Sequence, residues 1–416
     1  MNTPPRLVWV HVGVPKTGTS QIQDLLHLNR GSLRDEHGIL YPAEGHDDHF
    51  MAALDLTGQE WGGLEQRAVG AWGRLVEQAN AHDGPVVISH EVFAAASPEQ
   101  TRRALDTLDG EVHVVVSSRD LHRQIPAEWQ EGVKHRRRTS YADFCRDVVA
   151  ADPSLPASRW FWRVQDVPRV LERWGAALPP ERVHVVTVPG RDAPRDLLVG
   201  RLLHLFGIDP AWVPLASDRE NVSLGAAETT VIRRLNELLP AERLEGDTYR
   251  FRVREVLAHR TLAQRSGARI VLPEVIADWA DATAATWIAE LERAGYDVVG
   301  DLDELAPERT GSPWYDPDAA PVADQLDVTY AALEALLLDS AAMDVELRRL
   351  RLEHDELIHL RTEHDELLAL RLAVEELSKP PPPGPWMRTK QRVVAFGERS
   401  TLVRGVLRGW RFVRRH

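Results

Sequence analysis

Leu7-Val-Trp-Val-His-Val12 runs directly into Gly13-Val-Pro-Lys-Thr-Gly-Thr-Ser20, and a helix-like stretch, Ser20–Arg30, comes next. A short β-branched run, a glycine-punctuated turn and an amphipathic segment read as strand, loop and helix. Backbone N–H groups at a helix start form an anion site, and the helix dipole adds to it. Gly13 and Gly18 permit tight turning and close approach of backbone to an anion. Lys16 offers a point charge, and Thr17, Thr19 and Ser20 offer hydroxyls.

Beyond this stretch, three more apolar runs, Val86–Ser89, Val112–Ser117 and Val183–Val188, predict buried parallel strands. Helix-like stretches such as Pro98–Leu108 and Val167–Ala177 lie between them. Alternating strands and helices imply an α/β fold, a parallel sheet flanked by helices, with its ligand site at the strands' C-terminal ends. Each run ends in a polar cluster: Gly13–Ser20, Ser89–Glu91, Ser117–Asp120 and Thr187–Arg191.

The 416 residues are too many for one ordinary core. The net charge of −13 argues against nucleic-acid binding by the main body. Residues 386–416 carry nine Lys or Arg and one Glu, a net +8, so the rest of the chain is near −21. Cys145 is the single cysteine, which excludes an intramolecular disulfide and fits a reducing compartment. The absence of an apolar leader or an 18-residue apolar span makes the cytoplasm the default location. No metal-ligand spacing stands out.

The expected organisation is an α/β domain over 1–303 and a Pro-, Gly- and Asp-rich linker over 304–324. A charged helical segment over 325–379, a Pro-rich break over 380–385 and a basic amphipathic tail over 386–416 complete the chain. Within the helical segment, LRLEHDELIH (350–359), LRTEHDELLA (360–369) and LRLAVEELSK (370–379) form a ten-residue repeat. Leucines from Leu347 to Leu377 are spaced alternately by three and seven, coiled-coil-like steps whose phase resets each repeat. Self-association through 347–377 is expected, with a long solvated helix as the alternative. The tail suits either an anionic membrane surface, making the protein peripheral there, or an acidic partner.

The loop differs from the nucleotide triphosphatase pattern Gly-x4-Gly-Lys-Ser/Thr, because Thr19 holds the lysine position and Lys16 sits inside the turn. Pro15-Lys16-Thr17-Gly18-Thr19-Ser20 instead resembles the 5′-phosphosulfate loop of the sulfotransferase superfamily, of bacterial type. That resemblance covers about residues 7–300. It implies use of 3′-phosphoadenosine 5′-phosphosulfate (PAPS) as sulfuryl donor, without a metal, and a hydroxyl acceptor on a glycan or small metabolite. It also implies that the arginine after the third strand, Arg119, grips the donor's 3′-phosphate. The serine that shares this contact eight positions later is here Ala127, which shifts the role toward Ser117 or Ser118. A late basic loop, Arg219–Ser223 or Arg265-Ser266-Gly267, is a further candidate for that phosphate.

Lys16 is expected to neutralise the leaving oxygen, and a carboxylate or imidazole to take the acceptor's proton. Glu91 is the first choice for that base and His90 the second. Neighbours on an extended strand point opposite ways, so one of the two is expected to face the site. Trp61, Trp129, Trp160, Trp162 and Trp174 supply either core or acceptor-stacking faces. Lys134-His135-Arg136-Arg137-Arg138 could admit an anion or be a solvated loop. Two rivals stand: a small-molecule P-loop kinase, and a non-catalytic scaffold working through Leu347–Leu377.

Overall fold

The computed structural model describes residues 5–212, 223–306, 309, 314–379 and 384–399. The chain divides into two compact units, Met1–Leu338 and Asp339–His416. In the first, five parallel strands form one sheet: β1 (Leu7–His11), β2 (Val86–Ser89), β3 (Glu111–Ser118), β4 (Val183–Thr187) and β5 (Asp297–Val299). Their order is β2-β1-β3-β4-β5. Val10 pairs with Ile88 on one side and Val114 on the other. The order reverses at β1, which places a crevice beyond the C-terminal ends of β1 and β3.

Alternation along each strand feeds two cores. Val8, Val10, Val12, Ile88, Val114 and Val116 pack on one face with Trp129, Phe161 and Trp174. Trp9, Val87, Val115 and Val186 face the other way, against Ile22, Leu26 and Phe206. Both faces are covered, so these strands are mainly apolar, with polar residues such as His11, Ser89 and Ser117 toward their C-terminal ends.

The expected strands appear within a residue or so of their predicted limits. β5 has no counterpart among the predicted strands: it is three residues long and half-exposed, and begins at Asp297. Asp297 Oδ2 lies 2.6 Å from His184 Nδ1 on β4, a polar tie to the neighbouring strand. The segment 304–324, expected to be a linker, is tethered to the α/β body where it is described. Glu304 pairs with Arg201 at 2.6 Å, and Asp318 accepts from the Tyr141 and Ala142 N–H groups at 2.9 Å.

Three helices surround the crevice or lead to it: α1 (Thr19–Leu28), α2 (Leu121–Lys134) and α3 (Pro156–Gln165). A fourth, α4 (Val322–Leu377), carries the ten-residue repeats. Val328 and Ala332 near the start of α4 are buried, whereas Leu347, Leu350, Leu357, Leu360, Leu367, Leu370 and Leu377 are all exposed. A further helix spans Pro385–Arg399; Pro380–Pro383 and the rest of the basic tail lie outside the described residues. No helix among the described residues is long and apolar enough to cross a membrane.

Gly13 fixes how β1 meets β2. Its φ is +86°, and a Cβ there would lie 2.7 Å from Glu91 Cβ and 2.8 Å from Glu91 Cα. Gly13→Ala is therefore expected to cost about 2–4 kcal/mol from the left-handed backbone and the overlap together. Gly38→Ala, at φ +66° with nothing within 4 Å, carries only the backbone penalty of about 1 kcal/mol. Urea unfolding of the two variants checks the difference; equal losses would contradict this account of Gly13.

Candidate active site

The loop between β1 and α1 is held by its carbonyls. Thr17 Oγ1 donates to Val14 O at 2.6 Å. Pro15 O accepts from Gln124 Nε2 on α2 and, at 3.2 Å, from Gln165 Nε2 at the end of α3. Lys16 O accepts from Arg119 Nη1 at 2.9 Å. Lys16 itself has φ +68°, a left-handed conformation that costs a β-carbon residue on the order of 1 kcal/mol. Gly18 is the N-cap of α1 at φ +84° and offers no side-chain cap, so the first N–H groups of that helix lack the usual internal partner. Backbone turning through left-handed residues into an uncapped helix start is a geometry that can receive an anion.

Thr17 does not offer its hydroxyl to the anion, as the sequence pattern suggests it should. It is instead buried beneath the loop, shared between Val14 O and Ser117 Oγ, the latter at 2.5 Å. That contact continues into a buried chain: His11 Nε2 to Ser117 Oγ at 3.2 Å and His11 Nδ1 to Ser89 Oγ at 2.8 Å. Burial brings the His11 imidazole down to about 4, so it is neutral at pH 7 and joins the ends of three strands without charge. Thr19 is also buried, and Ser20 is half-buried at the start of α1.

Glu91 and His90 do not simply alternate across a strand. His90 is the last extended residue, and its Nδ1 accepts from Val92 N at 3.2 Å, capping the short 3₁₀ helix Glu91–Ala95. Burial keeps its imidazole below its ordinary value. Glu91 packs on Gly13 and accepts from Gln23 Nε2 of α1 at 2.9 Å. Burial alone would push the Glu91 carboxyl up, but His90, the Gln23 bond and Lys16 together bring it below its usual value. The carboxylate is thus ionised, adjoining the loop.

At the end of β3, Ser118 Oγ and Arg119 Nε are buried and have no hydrogen-bond partner. Ser118 is wholly enclosed and Arg119 half-buried, so of the two the guanidinium is the group a ligand can reach. Burial and the neighbouring Arg123 lower the Arg119 guanidinium to about 10, which leaves it cationic at neutral pH. Arg191, beyond β4, is likewise lowered by burial and by the charges of Arg269 and Arg123. Arg265, one of the late basic candidates, turns away to pair with Glu228 at 3.3 Å beside a cavity of about 460 Å³. Arg219 lies outside the described residues. Arg269, four residues past Arg265, is the late arginine that approaches this cluster, and no spacing marks it.

The residue beside the loop that sequence reasoning misses most clearly is Glu131. Lys16 Nζ lies 2.6 Å from Glu131 Oε2, and His135, Arg254 and Lys134 approach the same carboxylate at 3.2, 3.5 and 3.6 Å. Burial pushes this carboxyl up, yet Lys16, His135 and Lys134 hold it well below the ordinary range. A signal for it exists: Gln124, Glu128 and Glu131 sit at i, i+4 and i+7 on α2, one polar stripe facing the loop. Of the basic run 134–138, Arg136 lies 4.1 Å over the Tyr249 ring and Arg137 4.8 Å over Phe144, so these two are packing residues. Among the described residues no cluster of His, Cys, Asp or Glu is arranged to hold a metal ion.

Two solved sulfotransferases are similar to this chain. The enzyme from Alicyclobacillus acidocaldarius matches at 15% identity and TM-score 0.41, over 71% of this chain and 97% of that one. The sulfotransferase domain from the curacin biosynthetic pathway matches at 11% identity and TM-score 0.27, over 50% of this chain and 75% of that domain. No family model matches, and no curated protein does. At this distance the chemistry rests on the residues themselves.

The geometry yields two expected outcomes. Glu131→Gln frees Lys16 from its counter-ion and should tighten inorganic pyrophosphate at the loop about 3- to 10-fold by calorimetry; unchanged affinity would separate Lys16 from the anion site. Second, the folded protein keeps His11 neutral while the unfolded chain protonates it near 6.5, so the unfolded state binds more protons between pH 6.5 and about 4. Stability from His11 is complete above 6.5 and is lost as pH falls to about 4, on the order of 3 kcal/mol in all. Urea midpoints for the wild type and His11→Gln across pH 4–7.5 should converge on acidification.

Proposed function

We propose that the protein transfers a sulfuryl group from PAPS to a hydroxyl acceptor. The observation that carries this reading is the pairing of a lysine-bearing turn at an uncapped helix start with the cationic Arg119 at the end of the neighbouring strand, which donates to Lys16 O. A donor with phosphates on both the 3′ and 5′ oxygens of its ribose calls for two sets of anion contacts, at the switch point of the sheet. In this reading the loop Pro15–Ser20 holds the 5′-phosphosulfate. Arg119 and Ser118 hold the 3′-phosphate, with Arg191 and Arg269 adding positive charge where Ala127 offers no hydroxyl.

When bound, the donor supplies the sulfuryl group: the acceptor oxygen forms a new S–O bond as the bond from sulfur to the bridging phosphate oxygen breaks. Glu91 takes the acceptor's proton. Its proton affinity in the free protein is held down by His90 first, then by the Gln23 bond and by Lys16, and a polyanion neutralising Lys16 removes the last of these. Lys16, released from Glu131, stabilises charge developing on the leaving oxygen. Gln124 and Gln165 keep Pro15 in place, so the loop meets its ligand already shaped. A P-loop kinase would need a lysine at position 19, where this loop carries Thr19.

Calorimetry with adenosine 3′,5′-bisphosphate (PAP) against ATP tests donor class: micromolar PAP binding with ATP at least ten-fold weaker is expected. Lys16→Ala and Arg119→Ala should each weaken PAP by about 10- to 100-fold, the worth of one or two charge-assisted hydrogen bonds. Glu91→Gln should keep PAP affinity within a few-fold while lowering turnover with PAPS by about 10²–10⁴. Preference for ATP, or full turnover in Glu91→Gln, would overturn the assignment.

A further inference from the structure

The helix Pro385–Arg399 is exposed at every residue whose side chain is described, with Trp386 at 75% and Phe396 at 70%. Met387, Val393 and Val394 are exposed as well. Apolar side chains held in water forgo the gain that burial brings, and a contiguous set of them marks a contact surface.

Spacing sorts these residues around the helix axis. At about 100° per residue, Trp386, Met387, Val393, Val394 and Phe396 all fall within one half of the circumference. Arg388, Arg392 and Arg399 fall within about 40° of one another on the other half. Arg392 borders the apolar half, one turn before Phe396. Lys390 stands inside that half, its Nζ 5.6 Å from the centre of the Trp386 ring. A lysine so placed lays its methylenes along the apolar face and lifts its ammonium to the rim.

Charge sets the kind of surface that fits. Arg388, Lys390, Arg392 and Arg399 stand against Glu398 alone within this helix, and residues 386–416 carry a net +8. Among the described residues no carboxylate forms an ion pair with any of these four cations. An acidic protein surface would match the cations and leave the apolar half in water. A neutral apolar groove would do the reverse. An anionic bilayer surface supplies phosphate charge above hydrocarbon, and so satisfies both halves.

We infer that the helix Pro385–Arg399 docks on an anionic membrane surface, lying in its plane with Trp386, Val393, Val394 and Phe396 toward the acyl chains. The attachment is peripheral. A helix of 15 residues is about 22 Å long, short of the roughly 30 Å hydrocarbon layer. Residues 402–413 continue the same mixture in sequence, with Leu402, Trp410 and Phe412 among Arg404, Arg408 and Arg411. They add apolar and basic side chains for the same surface. The inference is independent of what the β1 loop binds.

Sedimentation of the full chain with lipid vesicles tests it. Vesicles of phosphatidylcholine mixed equally with phosphatidylglycerol should bind about ten-fold or more tightly than phosphatidylcholine alone, and about 0.5 M salt should shrink that difference. The pair Arg388→Gln and Arg392→Gln should weaken binding to the mixed vesicles about ten-fold, as should the pair Trp386→Ser and Phe396→Ser. All four side chains are exposed, so neither pair disturbs a core. Equal binding to neutral and mixed vesicles, binding to neither, or an apolar pair that binds as the wild type does would overturn the inference. Capture by poly-glutamate that withstands Trp386→Ser and Phe396→Ser, without vesicle binding, would assign the helix to an acidic protein instead.

Discussion

The fixing of three consecutive carbonyls, Val14, Pro15 and Lys16, is the constraint on which the rest of this site depends. A peptide plane has two polar ends, and tying the oxygen outward settles where the amide can point. The ties come from three different places: the loop itself, α2 with the end of α3, and the end of β3. The loop is consequently shaped by the surrounding fold and not by its own sequence alone. That support also explains how Lys16 persists in a left-handed conformation that asparagine or glycine would take more readily.

Much of this is legible from the chain. A glycine pair five residues apart after a valine-rich run announces strand, turn and helix, because few other structures tolerate that combination. The central strands are visible for a related reason: a strand covered on both faces is apolar along most of its length. β5 is hidden because it lies at an edge and is half-exposed. Its attachment uses Asp297 and His184, residues that carry no strand signature.

The choice between Glu91 and His90 cannot be made from alternation, because the strand ends at that point. What separates them is tertiary: Gly13 has room only for Glu91's backbone and Cβ, while His90 turns to cap the next turn of chain. Glu131 escapes attention since an acid beside Lys134-His135-Arg136-Arg137-Arg138 looks like part of a neutralised surface run. The Gln124–Glu128–Glu131 stripe marks its helix face, but its partner Lys16 lies more than a hundred residues earlier and is not named by that pattern. Arg136 and Arg137 show the converse, charged residues whose planar heads serve as packing surfaces over aromatic rings.

The leucines of α4 have a geometric consequence of their own. At about 100° per residue, ten residues turn a helix through nearly three full circles and fall about 80° short. Equivalent leucines in successive decads therefore spiral round the rod, and those two repeats apart point to almost opposite sides. A straight neighbouring helix would meet apolar side chains for only about 15 Å before the stripe rotates out of reach. The surface is built for short, staggered contacts at changing azimuths, unlike the single unbroken seam that a heptad repeat produces.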